Sequence, residues 1–191
     1  MTGGWKCWTR RPWALAILWG AAAVMWAGVA AAELPGVGDT LPTFTLPTPG
    51  SAEDRAALGL ADSPTFALGD MDAQCVLFEV IGVYCVECHK QAPIFSRLHA
   101  RLAKDEQLAG RVKMLAMAAG ATEKEVEYLR AKGNYPFVVV NDPDYVAHKI
   151  LGEPKTPFTM IVTREGKVVF AHLGVIADTA ALFREFEKLC R

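Results

Sequence analysis

Neither sign of charge dominates this sequence: 20 Lys and Arg residues stand against 21 Asp and Glu over 191 positions. Lys6, Arg10 and Arg11 fall within the first 32 positions, which hold no acid, so the remainder is mildly acidic. No basic tract or stripe is left there to track a phosphate backbone, and nucleic acid is excluded as a partner. Internal repeats and low-complexity tracts are also missing, which excludes solenoid and fibrous architectures. Cysteine is sparse, at five residues, and Cys7 lies in the leading segment, so Cys75, Cys85, Cys88 and Cys190 remain for the body of the chain. What is abundant is apolar surface, 52% of residues, enough for a real core in a chain of this length.

Part of that apolar excess is concentrated near the start. A basic beginning precedes an apolar run over 13–29, closed by Ala30, Ala31 and Ala32. This pattern reads as an export signal cleaved before Glu33, with small residues at Ala30 and Ala32 for the peptidase pocket. Retained, residues 12–32 are long enough at about 1.5 Å per residue to anchor the chain in a bilayer. Either outcome puts the remainder in an extracytoplasmic, oxidising compartment, periplasmic in a Gram-negative cell, where a free cysteine pair needs a redox partner to stay reduced. The expected division is a signal or anchor over 1–32, an N-terminal extension over 33–63 and a folded domain over 64–191.

A Pro- and Gly-rich lead over 34–50 suggests short extended pieces, and 51–63 a loop or weak helix. The run Cys75-Val-Leu-Phe-Glu-Val-Ile81 predicts a buried central strand. Further strands are expected over 65–68, 112–118, 137–140, 158–163 and 167–172. Helices are expected over 86–108, with Pro93 inside; over 123–132, capped by Thr122 and stopped by Gly133; over 143–151; and over 178–190. The link Arg164-Glu165-Gly166 is short enough for an antiparallel hairpin. The alternation of strand and helix gives an α/β class with a mixed central sheet and flanking helices.

Cys85-Val86-Glu87-Cys88 stands where the buried strand gives way to a helix. At a helix N-terminus the unpaired amides and the macrodipole favour a thiolate, so Cys85 is the expected nucleophile; Cys88, one turn in, is the resolving thiol. Glu79, six residues earlier on the apolar strand, is a carboxylate expected to be buried, where it could relay the Cys88 proton; the alternative is an edge position facing water or a local loop. Thr156-Pro157 precedes a strand, and X-Pro is the bond type most prone to cis.

The lead GDTLPTFTL, the run LFEVIGVYCVECHKQAP and the segment KTPFTMIVTREGKVVFAHLG resemble the thioredoxin superfamily, and within it the exported TlpA/ResA-like redoxins, over about residues 36–190. The resemblance implies a thioredoxin-like fold with an N-terminal extension and a central insertion between Cys88 and Pro157. It implies a thiol-disulfide oxidoreductase with Cys85 attacking, Cys88 resolving and Glu79 as the buried acid. Thr156, a cis Pro157 and Tyr84 would then border the substrate groove. Two positions depart from the family pattern: Tyr84 replaces the usual Trp, and Glu87 the usual Pro. Glu87 adds negative charge beside the thiolate and points to a reductant, although His89 pulls the other way. No cofactor is required. The implied partners are cysteine-containing exported proteins and a membrane or periplasmic redox partner. In this topology the strand carrying the motif begins at the far side of the sheet, where the closing helix also ends, so Cys75 and Cys190 are expected to approach each other.

Other chemistries share these letters. Cys85-x-x-Cys88-His89 is also the attachment pattern for c-type haem, which would make the chain a haem-handling protein of cytochrome assembly. Two thiolates with His89 or His172 would suit copper handling, although copper-delivery relatives space their cysteines wider. The position of the motif between a strand and a helix, with Thr156-Pro157 downstream, favours disulfide exchange and no bound metal.

Overall fold

The computed structural model describes residues 1–3, 33–132 and 135–190. The export segment and Gly133 lie outside the described residues. The chain separates into two compact units, Met1–Ala30 and Ala31–Arg191, and the second holds every element described below. In chain order these are β1 (Leu46–Pro47), α1 (Ala52–Leu58), β2 (Thr65–Phe66), a short 3-10 turn (Leu68–Asp70), β3 (Cys75–Ile81), α2 (Val86–Lys104) and β4 (Val112–Ala119). They continue with α3 (Glu123–Ala131), β5 (Val138–Asp142), α4 (Val146–Ile150), β6 (Phe158–Thr163), β7 (Val168–Leu173) and α5 (Ala180–Leu189).

The main sheet runs in the order β5-β4-β3-β6-β7. Strands β3, β4 and β5 are parallel, and β6 lies antiparallel to both β3 and β7. The mixed sheet expected from the alternation of elements is therefore present, and the segment between β4 and β6 adds β5 at the outer side of β4. All seven residues of β3 are buried, as a near-continuous apolar run demands of a strand covered on both faces. Alternation sends Cys75, Leu77 and Ile81 to one face, against Ala92, Phe95 and Leu98 of α2 and Leu182, Phe183 and Phe186 of α5. It sends Val76, Phe78 and Val80 to the other, against Phe44, Leu46, Leu58 and Leu151. Each large side chain so buried is worth about 1.5–3 kcal/mol of transfer free energy.

The N-terminal extension is part of this core. Its β1 pairs with β2, and the bridge Thr40 to Lys167 lays the lead against the start of β7. In α1, Asp54 accepts both Arg130 guanidinium nitrogens, at 2.5 and 2.7 Å, which ties the extension to α3. Gly59 ends α1 at φ 71°, and a Cβ there would run into Asp72.

Two helices are shorter than their sequence suggests. The helix expected to run to 108 stops at Lys104, because Asp105 leaves helical geometry and its carboxylate takes the amides of Gln107 and Leu108 at 3.0 and 3.1 Å. Leu108 still reaches the core, from that turn. The helix expected over 143–151 begins only at Val146, since Asp142 caps it through the amides of Val146, Ala147 and His148 and Tyr145 turns at φ 57°. By contrast Thr122 caps α3 as expected, in a reciprocal pair with Glu125. The ambiguous stretch 51–63 resolves into α1 and a turn.

Cys75 and Cys190 are joined by a disulfide, with Cα atoms 6.0 Å apart and a sequence separation of 115. The bond ties the last residue of the α5 region to the first residue of β3, at the end of the sheet opposite the CxxC. Both sulfurs are buried. Closing so long a loop restricts the unfolded chain by up to about 4–5 kcal/mol. Replacing both Cys75 and Cys190 by Ala is expected to lower the unfolding free energy towards that limit in a non-reducing denaturant titration. Peptide mapping of the oxidised protein should recover the crosslink; two alkylatable thiols at these positions would contradict it.

Candidate functional site

The site is built where β3 ends. After Ile81 the chain turns through Gly82, Val83 and Tyr84, and the Cys85 amide donates back to the Gly82 carbonyl at 3.2 Å. A Cβ on Gly82 would stand 3.4 Å from Cys85 Cβ and 3.5 Å from Thr156 Oγ1, ordinary contact distances that show how near the two loops pass. Cys85 is the N-cap of α2, in extended geometry, and its Sγ accepts the Cys88 amide at 3.1 Å. The two sulfurs are bonded, with Cα atoms 5.2 Å apart. Cys85 remains half-buried, whereas Cys88 is fully covered. One sulfur is therefore open to attack and the other is shielded, the asymmetry expected from their positions in the first helical turn.

Across from this turn, the Thr156 carbonyl oxygen lies 3.4 Å from Cys85 Sγ. The Thr156-Pro157 bond is cis, and the Pro157 carbonyl accepts the Gly174 amide at 2.8 Å. The loop that faces the sulfur is thus fastened to the end of β7. Tyr84 is 83% exposed beside Cys85, and its hydroxyl donates to Glu125 Oε1 at 2.9 Å. The Thr122 amide and hydroxyl hold the Glu125 carboxyl below its ordinary range, helped by Tyr84. Glu87, the acid inside the motif, pairs with Lys90 on the exposed side of α2 at 2.6 Å.

Glu79 is wholly buried. Burial pushes its carboxyl up to about 8, against the opposing hydrogen bond from Gln91. Gln91 Nε2 donates to Glu79 Oε1 at 2.6 Å and to Thr159 Oγ1 at 3.2 Å, and its Oε1 accepts the Ile176 amide at 2.7 Å. Thr159 is the β6 residue in register with Glu79. Tyr135 is raised mainly by its own burial and in part by the Glu79 charge.

Sequence reasoning names Cys85, Cys88, Glu79, Tyr84, Thr156 and Pro157, and these converge on the carboxyl end of β3 and the two loops around it. It does not name Gln91, Thr159 or Glu125. Gln91 carried a readable signal, since a polar residue three positions after Cys88 shares the buried face of α2. Thr159 and Glu125 depend on strand register and on a contact 41 positions long, with no local pattern. His89 and His172 are exposed, and among the described residues no group of three or more His, Cys, Asp or Glu side chains gathers to hold a metal ion. Also among the described residues, no helix is long and apolar enough to cross a membrane.

The raised Glu79 carboxyl has a thermodynamic consequence. A group that holds its proton more tightly folded than unfolded contributes most below the unfolded value, near 4.5, and loses that contribution as pH rises through about 8. Glu79→Gln is therefore expected to raise stability increasingly between pH 5 and 8, by up to about 4–5 kcal/mol. Denaturant titrations across that range would show it; an equal effect at both ends would contradict the burial of an ionisable group here.

No family model matches the sequence, and no curated protein sequence matches it. Solved structures do match in fold. A candidate thiol:disulfide interchange protein DsbE from Chlorobium tepidum superposes with a TM-score of 0.63 at 21% identity, covering 82% of this chain and 99% of that one. The thioredoxin domain of a thiol-disulfide oxidoreductase from Bacteroides vulgatus gives 0.59 at 16% identity, over 82% and 99%. A secreted Mycobacterium tuberculosis disulfide oxidoreductase homologous to E. coli DsbE gives 0.56 at 18% identity, over 76% and 96%. Sheet order, the helix after the CxxC and these superpositions together establish a thioredoxin-like fold for residues beyond the leading segment.

Proposed function

We propose that this chain is an extracytoplasmic thiol-disulfide oxidoreductase that reduces disulfides in exported proteins through Cys85 and Cys88. The observation that carries the reading is the unequal sulfur pair at the start of α2: Cys85 is accessible and Cys88 is covered, above a buried carboxylate. In the reduced protein the Cys85 thiolate attacks one sulfur of a substrate disulfide, forming a mixed disulfide and expelling the other sulfur as a thiolate. Cys88 then gives its proton to Glu79, and its thiolate attacks Cys85 Sγ. The Cys85–Cys88 bond forms, the second substrate sulfur leaves, and two electrons have passed to the substrate. The proton on Glu79 is available to the leaving thiolate. No cofactor enters these steps. A membrane-bound or periplasmic dithiol must reduce the pair again.

Thr156, Pro157 and Tyr84 border the groove in which a substrate segment would lie against Cys85. The reductive direction is supported by Glu87, whose charge disfavours a thiolate in the first turn, although its pairing with Lys90 moderates the effect. The basic start and apolar run of the leading segment support export, as does the buried Cys75–Cys190 bond, which suits an oxidising compartment. The activities named for the structural neighbours point the same way.

Cys85→Ser is expected to abolish insulin reduction, whereas Cys88→Ala should accumulate long-lived mixed disulfides at Cys85, seen by non-reducing electrophoresis and mass spectrometry. Preferential alkylation of Cys88 over Cys85 in the reduced protein would reverse the two roles. The equilibrium reduction potential against glutathione is expected closer to about −270 mV than to about −120 mV. A value at the second end would make the chain an oxidant.

A further inference from the structure

Gln91 is fully buried one turn beyond Cys88, and both ends of its amide are committed. Its oxygen accepts the Ile176 N–H at 2.7 Å, from the segment between β7 and α5. Its nitrogen donates to Glu79 Oε1 at 2.6 Å and to Thr159 Oγ1 at 3.2 Å, one bond for each of its two hydrogens. The orientation is dictated by the first contact. Only an oxygen accepts from a backbone N–H, so the NH2 group is obliged to face the carboxylate. A flipped amide would set donor against donor at Ile176 and acceptor against acceptor at Glu79, with the cost of two unpaired buried groups. The other carboxylate oxygen, Glu79 Oε2, is buried and accepts no hydrogen bond among the described residues.

Building on the disulfide-exchange reading, we propose that Gln91 is a positioning residue that fastens Oε1 of Glu79 and so reserves Oε2 for the proton exchanged with Cys88. When Cys88 attacks the mixed disulfide, its S–H bond breaks and an O–H bond forms at Oε2; that proton passes on when the substrate thiolate leaves. Gln91 itself neither gains nor loses a proton. Its donation favours the charged carboxylate and opposes desolvation, so the Glu79 carboxyl rises only to about 8. Tyr135 feels the Glu79 charge, and Cys88 lies one turn along α2 from Gln91. Thr159 is polar but does not titrate. The same amide holds the segment before α5, so the carboxylate is positioned by three parts of the fold at once: α2, β6 and the Ile176 segment.

The test is a direct titration of Glu79 by carboxyl NMR in the oxidised full chain, paired with the pH profile of mixed-disulfide resolution. Gln91→Met removes both donors at similar volume. The Glu79 midpoint is expected to rise by about one pH unit, and resolution near neutral pH to fall about tenfold with substrate KM unchanged. Gln91→Glu keeps an acceptor for Ile176 but sets a second carboxyl against Glu79; two separated midpoints are expected, one above and one below that of the parent. An unchanged Glu79 midpoint in Gln91→Met, or a single unshifted one in Gln91→Glu, overturns the proposal even if the melting temperature falls. The titration needs no substrate. A parent protein with no disulfide-exchange activity would thus overturn the functional reading, while the midpoints would still report on Gln91.

Discussion

Strand β3 is covered on both faces and paired on both edges, and every one of its seven side chains is buried. Confined in this way, the strand cannot shift by one residue without exchanging its two apolar faces, so its register and the position of its carboxyl end are set together. The turn that makes Cys85 the N-cap of α2 leaves directly from that end and is thereby presented at a defined place. The same confinement leaves Glu79 no path to water. Its carboxyl is therefore both destabilising to the fold and suited to hold a proton near neutral pH.

The polar cluster around Glu79 comprises few groups. Gln91 supplies two donors and one acceptor, Thr159 takes one donor across the register, and the Ile176 amide takes the acceptor. One carboxylate oxygen has no hydrogen-bond partner among the described residues. An apolar residue at position 79 would fold more readily, so the cluster is a local inconsistency of the kind found at functional sites. It lies under the first turns of α2, and Gln91, which holds it, is one turn along that helix from the covered Cys88.

The two disulfides stand at opposite ends of this one strand and its continuation. Cys75–Cys190 is closed over by the core and ties α5 to the sheet. Cys85–Cys88 has one half-buried cysteine, beside the Thr156 carbonyl and exposed Tyr84. Thiol exchange requires access along the S–S axis, so burial alone separates a structural bond from an exchangeable one.

Much of this was legible in the linear chain. The apolar run into β3, the CxxC at a strand-to-helix boundary and the Thr122 cap are local patterns, and local physics sufficed to predict them; the cis bond at Thr156-Pro157 was implied by the resemblance. The approach of Cys75 to Cys190 came from topology once the order of elements was known. What the chain did not disclose were features decided by competition or by long-range register. Asp105 and Asp142 shortened two helices because their carboxylates captured nearby amides, a choice that periodicity does not encode. Gln91, Thr159 and Glu125 became partners of Glu79 and Tyr84 only when separate strands and helices were brought together. The sequence by itself determined which chemistry was available and at which end of which strand; the tertiary structure decided which buried groups share a proton's environment. Hydrogen bonds and desolvation act over a few ångströms in space, whatever the separation along the chain.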